Sequence, residues 1–196
     1  MKDWNKLYEY ILKYLKENLP PFLTYHHIQH TLHVLEMSEY IARKERTSEY
    51  DILLIKTAAL FHDSGFTTTE NGHEEEGIKH ASAVLPNFGY TSKEIEIISN
   101  LIRATAIPQQ PKNKLEFILA DADLEYLGTD SFERIGNSLF EEFKYYNSNL
   151  TLKDWIRIQI DFLTAHHYHT NYCIKNRTPK KLKHLNDLIQ LSKMID

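Results

Sequence analysis

The chain has one cysteine, Cys173, in 196 residues, so it can form no internal disulfide and no cysteine-rich metal site. That usage suits a reducing, cytoplasmic setting. Glycine and proline are scarce, six of each, and the long intervals between them leave room for helices. No apolar run approaches the roughly 20 residues that a membrane helix needs. The strongest, Ile52 to Phe61, is interrupted by Lys56. The start, Met1-Lys2-Asp3-Trp4-Asn5-Lys6, lacks the apolar stretch and small residues of a signal peptide. Acidic and basic residues are mixed, with a net charge of -4. Without a basic stripe, duplex nucleic acid is not an expected partner, whereas a single nucleotide is an acceptable ligand. Neither a Gly-x-x-x-x-Gly-Lys-Ser/Thr loop nor a Gly-x-Ser-x-Gly elbow occurs, which argues against a P-loop kinase and a serine hydrolase.

What is present is ordinary for a globular protein: 42% hydrophobic and 26% charged residues. The length suits one well-buried core rather than two domains, so a single domain over residues 1–196 is expected. Apolar positions recur at helical spacing, and the predicted fold is all-α. Leu7, Ile11, Leu12 and Leu15 stripe an opening helix that stops before Pro20-Pro21. A second helix is expected from about Thr24 to Arg43, and a third, capped by Ser48, leads through Ile52, Ile55 and Ala59 to His62. Residues 65–72 read as a loop at the mouth of a site. Further helices are expected over about 73–85, 92–106, 114–127, 131–146, 151–173 and 180–194, with Gly128 as a stop signal.

The chemistry concentrates in three places. His62-Asp63 closes an apolar helical run and is followed by Ser64-Gly65, offering a divalent cation an imidazole nitrogen and a carboxylate oxygen from adjacent positions. Upstream, Tyr25-His26-His27-Ile28-Gln29-His30-Thr31 places His26 and His30 on one face of any helix that spans both. Downstream, Asp121-Ala122-Asp123-Leu124 puts two carboxylates in another apolar run. Two residues apart on a helix, Asp121 and Asp123 point about 200° from each other, so only one can face a given ion.

A histidine, then His-Asp, then a distant aspartate is the ligand order of the HD superfamily of metal-dependent phosphohydrolases, which this chain resembles over roughly Tyr25 to Gly128. The resemblance implies an HD-type helical bundle, with its metal-binding core at about 24–128 and the helices of 131–196 packed on it. It implies His30, His62 and Asp63 as ligands, and Asp121 or Asp123 as the fourth, alignment on the Ala-Asp-Leu string favouring Asp123. The cofactor would be a divalent cation: Mn, Fe, Mg, Zn, Ni or Co. Asp63 would also orient the attacking water, and hydrolysis of a small phosphorylated molecule, a nucleotide first, would follow.

Other residues carry subsidiary readings. His26 is placed to donate a proton to a leaving oxygen, as in the first histidine of cyclic-nucleotide phosphodiesterases, although His27 replaces the asparagine of their Tyr-His-Asn-x-x-His motif. A phosphodiesterase is therefore one alternative function, and a non-catalytic metal- or nucleotide-binding sensor another. His73 stands where two-metal members carry an additional histidine, yet residues 97–106 supply no further one, so a single tightly held metal is expected. His73, Arg103 and His169 are the candidate substrate contacts. The His166-His167-Tyr168-His169 cluster, read as helical, cannot converge on one ion.

Overall fold

The computed structural model describes residues 2–195 and contains, among these, ten α-helices and no strand. α1 (Trp4–Asn18) buries Leu7, Ile11 and Leu15 along one stripe, as its 3.6-residue spacing dictates. α2 (Ile28–Lys44) packs against α3 (Glu49–Phe61) and α6 (Lys114–Asp123), and α3 packs against α5 (Ser92–Arg103). α3 is the central element: Ile52, Leu54, Ile55, Ala58, Leu60 and Phe61 are all buried. Phe61 is fully enclosed, a site where truncation to alanine costs about 3–5 kcal/mol. The Ser48 hydroxyl accepts the Asp51 N–H at 3.1 Å and caps α3 as expected.

After α3 the chain turns through His62-Asp63 into a short 3₁₀ segment, Ser64–Thr67, and the Ser64 hydroxyl donates to the Phe61 carbonyl at 2.8 Å. Gly65 lies against the start of α4 (His73–Val84). A Cβ there would stand 1.9 Å from the His73 carbonyl oxygen, so only glycine lets the two backbones meet this closely. That approach brings His73 up beside the His62-Asp63 pair.

Three helix boundaries differ from expectation, and in two of them a buried carboxylate captures backbone N–H groups. α2 begins at Ile28 rather than near Thr24: Glu142 accepts the Tyr25 N–H at 2.8 Å and the His26 N–H at 3.1 Å, and His27 becomes the cap. His26 and His30 therefore do not share a helix. α6 ends at Asp123, and Glu125–Gly128 forms a 3₁₀ turn in place of a continuous helix to residue 127. The segment 151–173 is two helices, α8 (Leu152–Ala165) and α9 (Asn171–Asn176). Between them Asp121 accepts the N–H groups of His169 at 2.9 Å and Thr170 at 2.8 Å, while the buried Lys181 ammonium donates to the Leu163 carbonyl at 3.0 Å and to that of His166. The orphan carbonyls ending α8 thus find a donor.

α7 (Phe132–Tyr146) follows the 3₁₀ turn, and α10 (Thr178–Ile195) lies against α8. Tyr168 and Cys173 enter the main core, and Phe132 and Leu163 join Tyr25, Leu124, Tyr126 and Leu127 in a second cluster. The C-terminal helices are thereby tied to the segments that carry the histidines and aspartates. No helix among the described residues is long and apolar enough to cross a membrane.

Candidate metal centre and its cavity

Four side chains converge beneath the α2–α3–α6 contact. His30 comes from the first turn of α2, His62 and Asp63 from the end of α3, and Asp123 from the last residue of α6. His30 Nε2 lies 3.3 Å from His62 Nε2, 3.3 Å from Asp63 Oδ2 and 3.2 Å from Asp123 Oδ1. His62 Nε2 lies 3.1 Å from Asp63 Oδ2 and 3.6 Å from Asp123 Oδ1. His30, His62 and Asp123 each direct a donor atom to within 4.8 Å of the others. His62 is fully buried and His30 nearly so.

This donor set fits a divalent ion on three counts. His62 Nδ1 lies 2.8 Å from the Ala59 carbonyl, which fixes the proton on Nδ1 in the neutral ring and turns the Nε2 lone pair toward the cluster. Asp63 Oδ2 is buried with no hydrogen-bond partner, a state that is costly unless something else satisfies it. Donors about 2.1 Å from one ion at tetrahedral angles stand about 3.4 Å apart, and the separations here run from 3.1 to 3.6 Å.

The electrostatics agree. Burial disfavours the charged form of His30, but the Asp123 and Asp63 carboxylates outweigh it and raise its pKa. Burial opposes His62 in the same way, and Asp63 and Asp123 lift its pKa well above the ordinary imidazole value. Burial also opposes ionisation of the two carboxylates. The imidazoles nonetheless hold Asp123 at about 2, and the His62 charge with the His30 contact keeps Asp63 well below the usual range. The two carboxylates thus stay ionised and draw positive charge, here as protons on the imidazoles, into a buried place where a cation would supply it instead.

The remaining candidates divide. Asp121 points away from the cluster. It is wholly buried, its carboxylate is engaged by His169 and Thr170, and burial raises its pKa despite those bonds. His26 lines the cavity beside the cluster, its ring stacked on Phe66 at 4.2 Å and its Nδ1 paired with Glu142. His73 lines the same cavity, with Nε2 3.6 Å from Asp63 Oδ1 and its ring stacked on Phe66 at 3.9 Å. Arg103 lies outside it, bound to Glu75 at 2.7 Å. His169 also lies outside, stacked on Phe117 at 5.4 Å.

Glu142 was not singled out in the sequence. It is 1% exposed, and His26 together with the two backbone N–H groups lowers its pKa against the effect of burial. A signal existed: positions 132, 135, 139 and 142 continue one helical stripe, so Glu142 puts a carboxylate where Phe132, Ile135 and Leu139 predict an apolar side chain. Phe66, Glu70, Asn71 and Gly72 line the cavity, so part of the expected loop 65–72 borders it, although its first residues form a 3₁₀ turn.

No curated protein matches the chain. Among solved structures, the crystal structure of a protein described as a predicted HD superfamily hydrolase, from an uncultured Thermotogales bacterium, is similar. Its identity is 24%, the match covers 93% of this chain and 91% of that one, and the TM-score is 0.59. At that identity the likeness shows a shared fold. The family described as HD domain matches residues 27–125, about half of the sequence and the stretch holding His30, His62, Asp63 and Asp123, and the chain belongs to that family.

Proposed function

We propose that the chain is a divalent-metal-dependent phosphohydrolase, acting as one domain in the cytoplasm on a small phosphorylated molecule. The observation that carries this reading is the convergence of His30, His62, Asp63 and Asp123, two imidazoles and two carboxylates at separations suited to one ion, on the wall of a cavity of about 520 Å³. That volume lies within the range of small-ligand sites. When bound, a divalent ion supplies an acidified water and offsets negative charge on a phosphoryl oxygen.

The chain's own residues do the rest. Asp63 would hold the ion together with His30, His62 and Asp123, and its Oδ1, 3.6 Å from His73 Nε2, would be free to orient a water on the cavity side. His26 keeps its Nδ1 on Glu142 and presents Nε2 to the cavity, where it delivers a proton to the leaving oxygen. Phe66 packs against the rings of both His26 and His73, whose own centroids lie 6.2 Å apart, and so helps to position the pair. Asp121 anchors α9 and takes no part.

A nucleotide is the substrate class that the family motifs suggest, and the lining favours a single phosphate on whatever substrate it takes, since no lysine or arginine lines it among the described residues. The position of His26 also favours a second reading, hydrolysis of a phosphodiester whose leaving group needs protonation. The test is a metal-supplemented screen of nucleoside monophosphates, cyclic nucleotides and sugar phosphates, with His62→Ala as the blank. Hydrolysis that persists in that variant, or no turnover with any metal, refutes the proposal.

A further inference from the structure

The cavity does not end at the aspartates. It continues between α7 and α8, which are consecutive in sequence: α8 packs mainly on α10, and it meets α7 through Trp155 against Phe140 at 5.6 Å and Phe143 at 5.5 Å and through Gln159 beside Gly136. Phe132, Leu139 and Phe143 wall this arm from α7, and Trp155, Phe162 and Leu163 from α8. From Trp155 to Leu163 it runs about 12 Å along the helix. Phe132, Trp155 and Leu163 are buried, so the inner walls of the arm are shielded, while the exposed Tyr146 and Ile158 stand where it opens to solvent.

Three features say what the arm suits. Its walls are aromatic and aliphatic; apart from the Trp155 indole, Gln159 is the one polar side chain that α8 contributes. Gly136, within α7, carries no side chain into the middle of the arm, and the end of the Gln159 side chain from α8 lies beside it. A Cβ there would meet only the end of the Gln159 side chain, at 2.8 Å. The charges facing the cavity are negative: Glu70, Glu74 and Glu142 accompany Asp63 and Asp123, with no lysine or arginine among the described residues to hold a further phosphate. A polyphosphate would meet carboxylates without a counter-charge. A nucleobase would leave its donors and acceptors against hydrocarbon, which is costly when they stay unpaired.

We propose that this arm holds an apolar alkyl or aryl group of the substrate while its phosphate sits at the His30–His62–Asp63–Asp123 cluster, making the substrate an amphiphilic phosphoester rather than a polyphosphate nucleotide. The inference rests on the phosphohydrolase reading and narrows it. Close-packed interiors seldom keep open space, and here the opening is continuous with the one cluster that would take a phosphate.

The test separates binding from turnover. Alkylphosphonates, which cannot be hydrolysed, are titrated calorimetrically into the manganese-loaded protein from methyl through butyl and hexyl to octyl. Affinity should rise about fourfold per methylene, the effect of burying one such group, until the arm is full. Gly136→Leu, which narrows the arm far from the metal cluster, should leave methylphosphonate binding unchanged and abolish most of the octyl gain. Affinity that is flat with chain length, or adenosine monophosphate binding more tightly than octylphosphonate, overturns the proposal whether or not the variant folds. A rising series with no hydrolysis of octyl phosphate would leave the arm in place and refute the phosphohydrolase reading. Hydrolysis with a flat series would do the reverse.

Discussion

Glu142 holds His26 from 116 residues away in sequence, accepting its backbone N–H at 3.1 Å and pairing with its Nδ1. The pairing fixes which nitrogen faces the cavity, and the backbone bond keeps His26 out of α2. Glu142 is thus a positioning residue for the histidine proposed as proton donor.

If His26 protonates the leaving oxygen, His26→Ala should lower turnover of a poor leaving group by about 10²–10⁴-fold and keep its metal. Glu142→Gln should show the same pattern more weakly, by roughly 10–100-fold. A p-nitrophenyl ester, whose leaving group needs little protonation, should be largely spared in both. Rates on paired alkyl and p-nitrophenyl esters, with metal content measured alongside, decide the matter. Equal losses on both esters would exclude acid catalysis by His26.

The two aspartates of Asp121-Ala122-Asp123 should separate cleanly. Asp123→Asn should lose the metal and nearly all activity with little change in fold. Asp121→Asn should keep the metal site but destabilise the protein by about 3 kcal/mol, because the His169 and Thr170 N–H groups lose a charged acceptor in a buried place. Metal analysis and urea unfolding distinguish them, and metal loss in Asp121→Asn would reverse the assignment.

These outcomes bear on what a sequence can convey. The grouping of His30, His62, Asp63 and Asp123 comes from the resemblance of their order to that of the HD family, whereas helical periodicity, being local, conveys only which helices carry them. Two of the departures come from long-range carboxylates. Glu142 reorganises residues 24–27, and Asp121 reorganises 166–170, and neither partner is visible from local spacing. The cavity arm was equally hidden, since it arises from how α7 and α8 meet and not from any residue's identity. Only Gly136 and the misplaced charge of Glu142 marked those helices as unusual.

Glu94 supplies a pH-dependent contribution to stability independent of the site. It is 5% exposed; burial opposes its ionisation, but Lys2, the Thr91 N–H and Tyr50 hold its pKa at about 2, against 4.5 for a free glutamate. A depressed folded-state value means that the contribution is complete above about pH 4.5 and is lost as the pH falls toward 2. Glu94→Gln should therefore cost about 1–2 kcal/mol at pH 7, where it also weakens the α5 capping box, and little at pH 2.5. Denaturant titrations at the two pH values test this. An equal penalty at both would assign the effect to shape rather than charge.

Metal removal should be visible as lost stability even without a substrate. An ion that binds the folded cluster and not the unfolded chain stabilises by about 2.7 kcal/mol at a free concentration one hundred times its Kd. For a chain of this length that raises Tm by about 5–10 °C. Adding manganese to chelator-treated protein should produce the rise, and Asp123→Asn and His62→Ala should abolish it while Asp121→Asn, starting from a lower Tm, keeps it. Because His30 and His62 must be unprotonated to bind, and the neighbouring carboxylates raise both of their pKa values, protons compete with the ion and the rise should shrink on acidification. Thermal scans of all four proteins with and without manganese measure this directly. A rise that survives in His62→Ala would place the stabilising ion somewhere other than the α2–α3–α6 cluster.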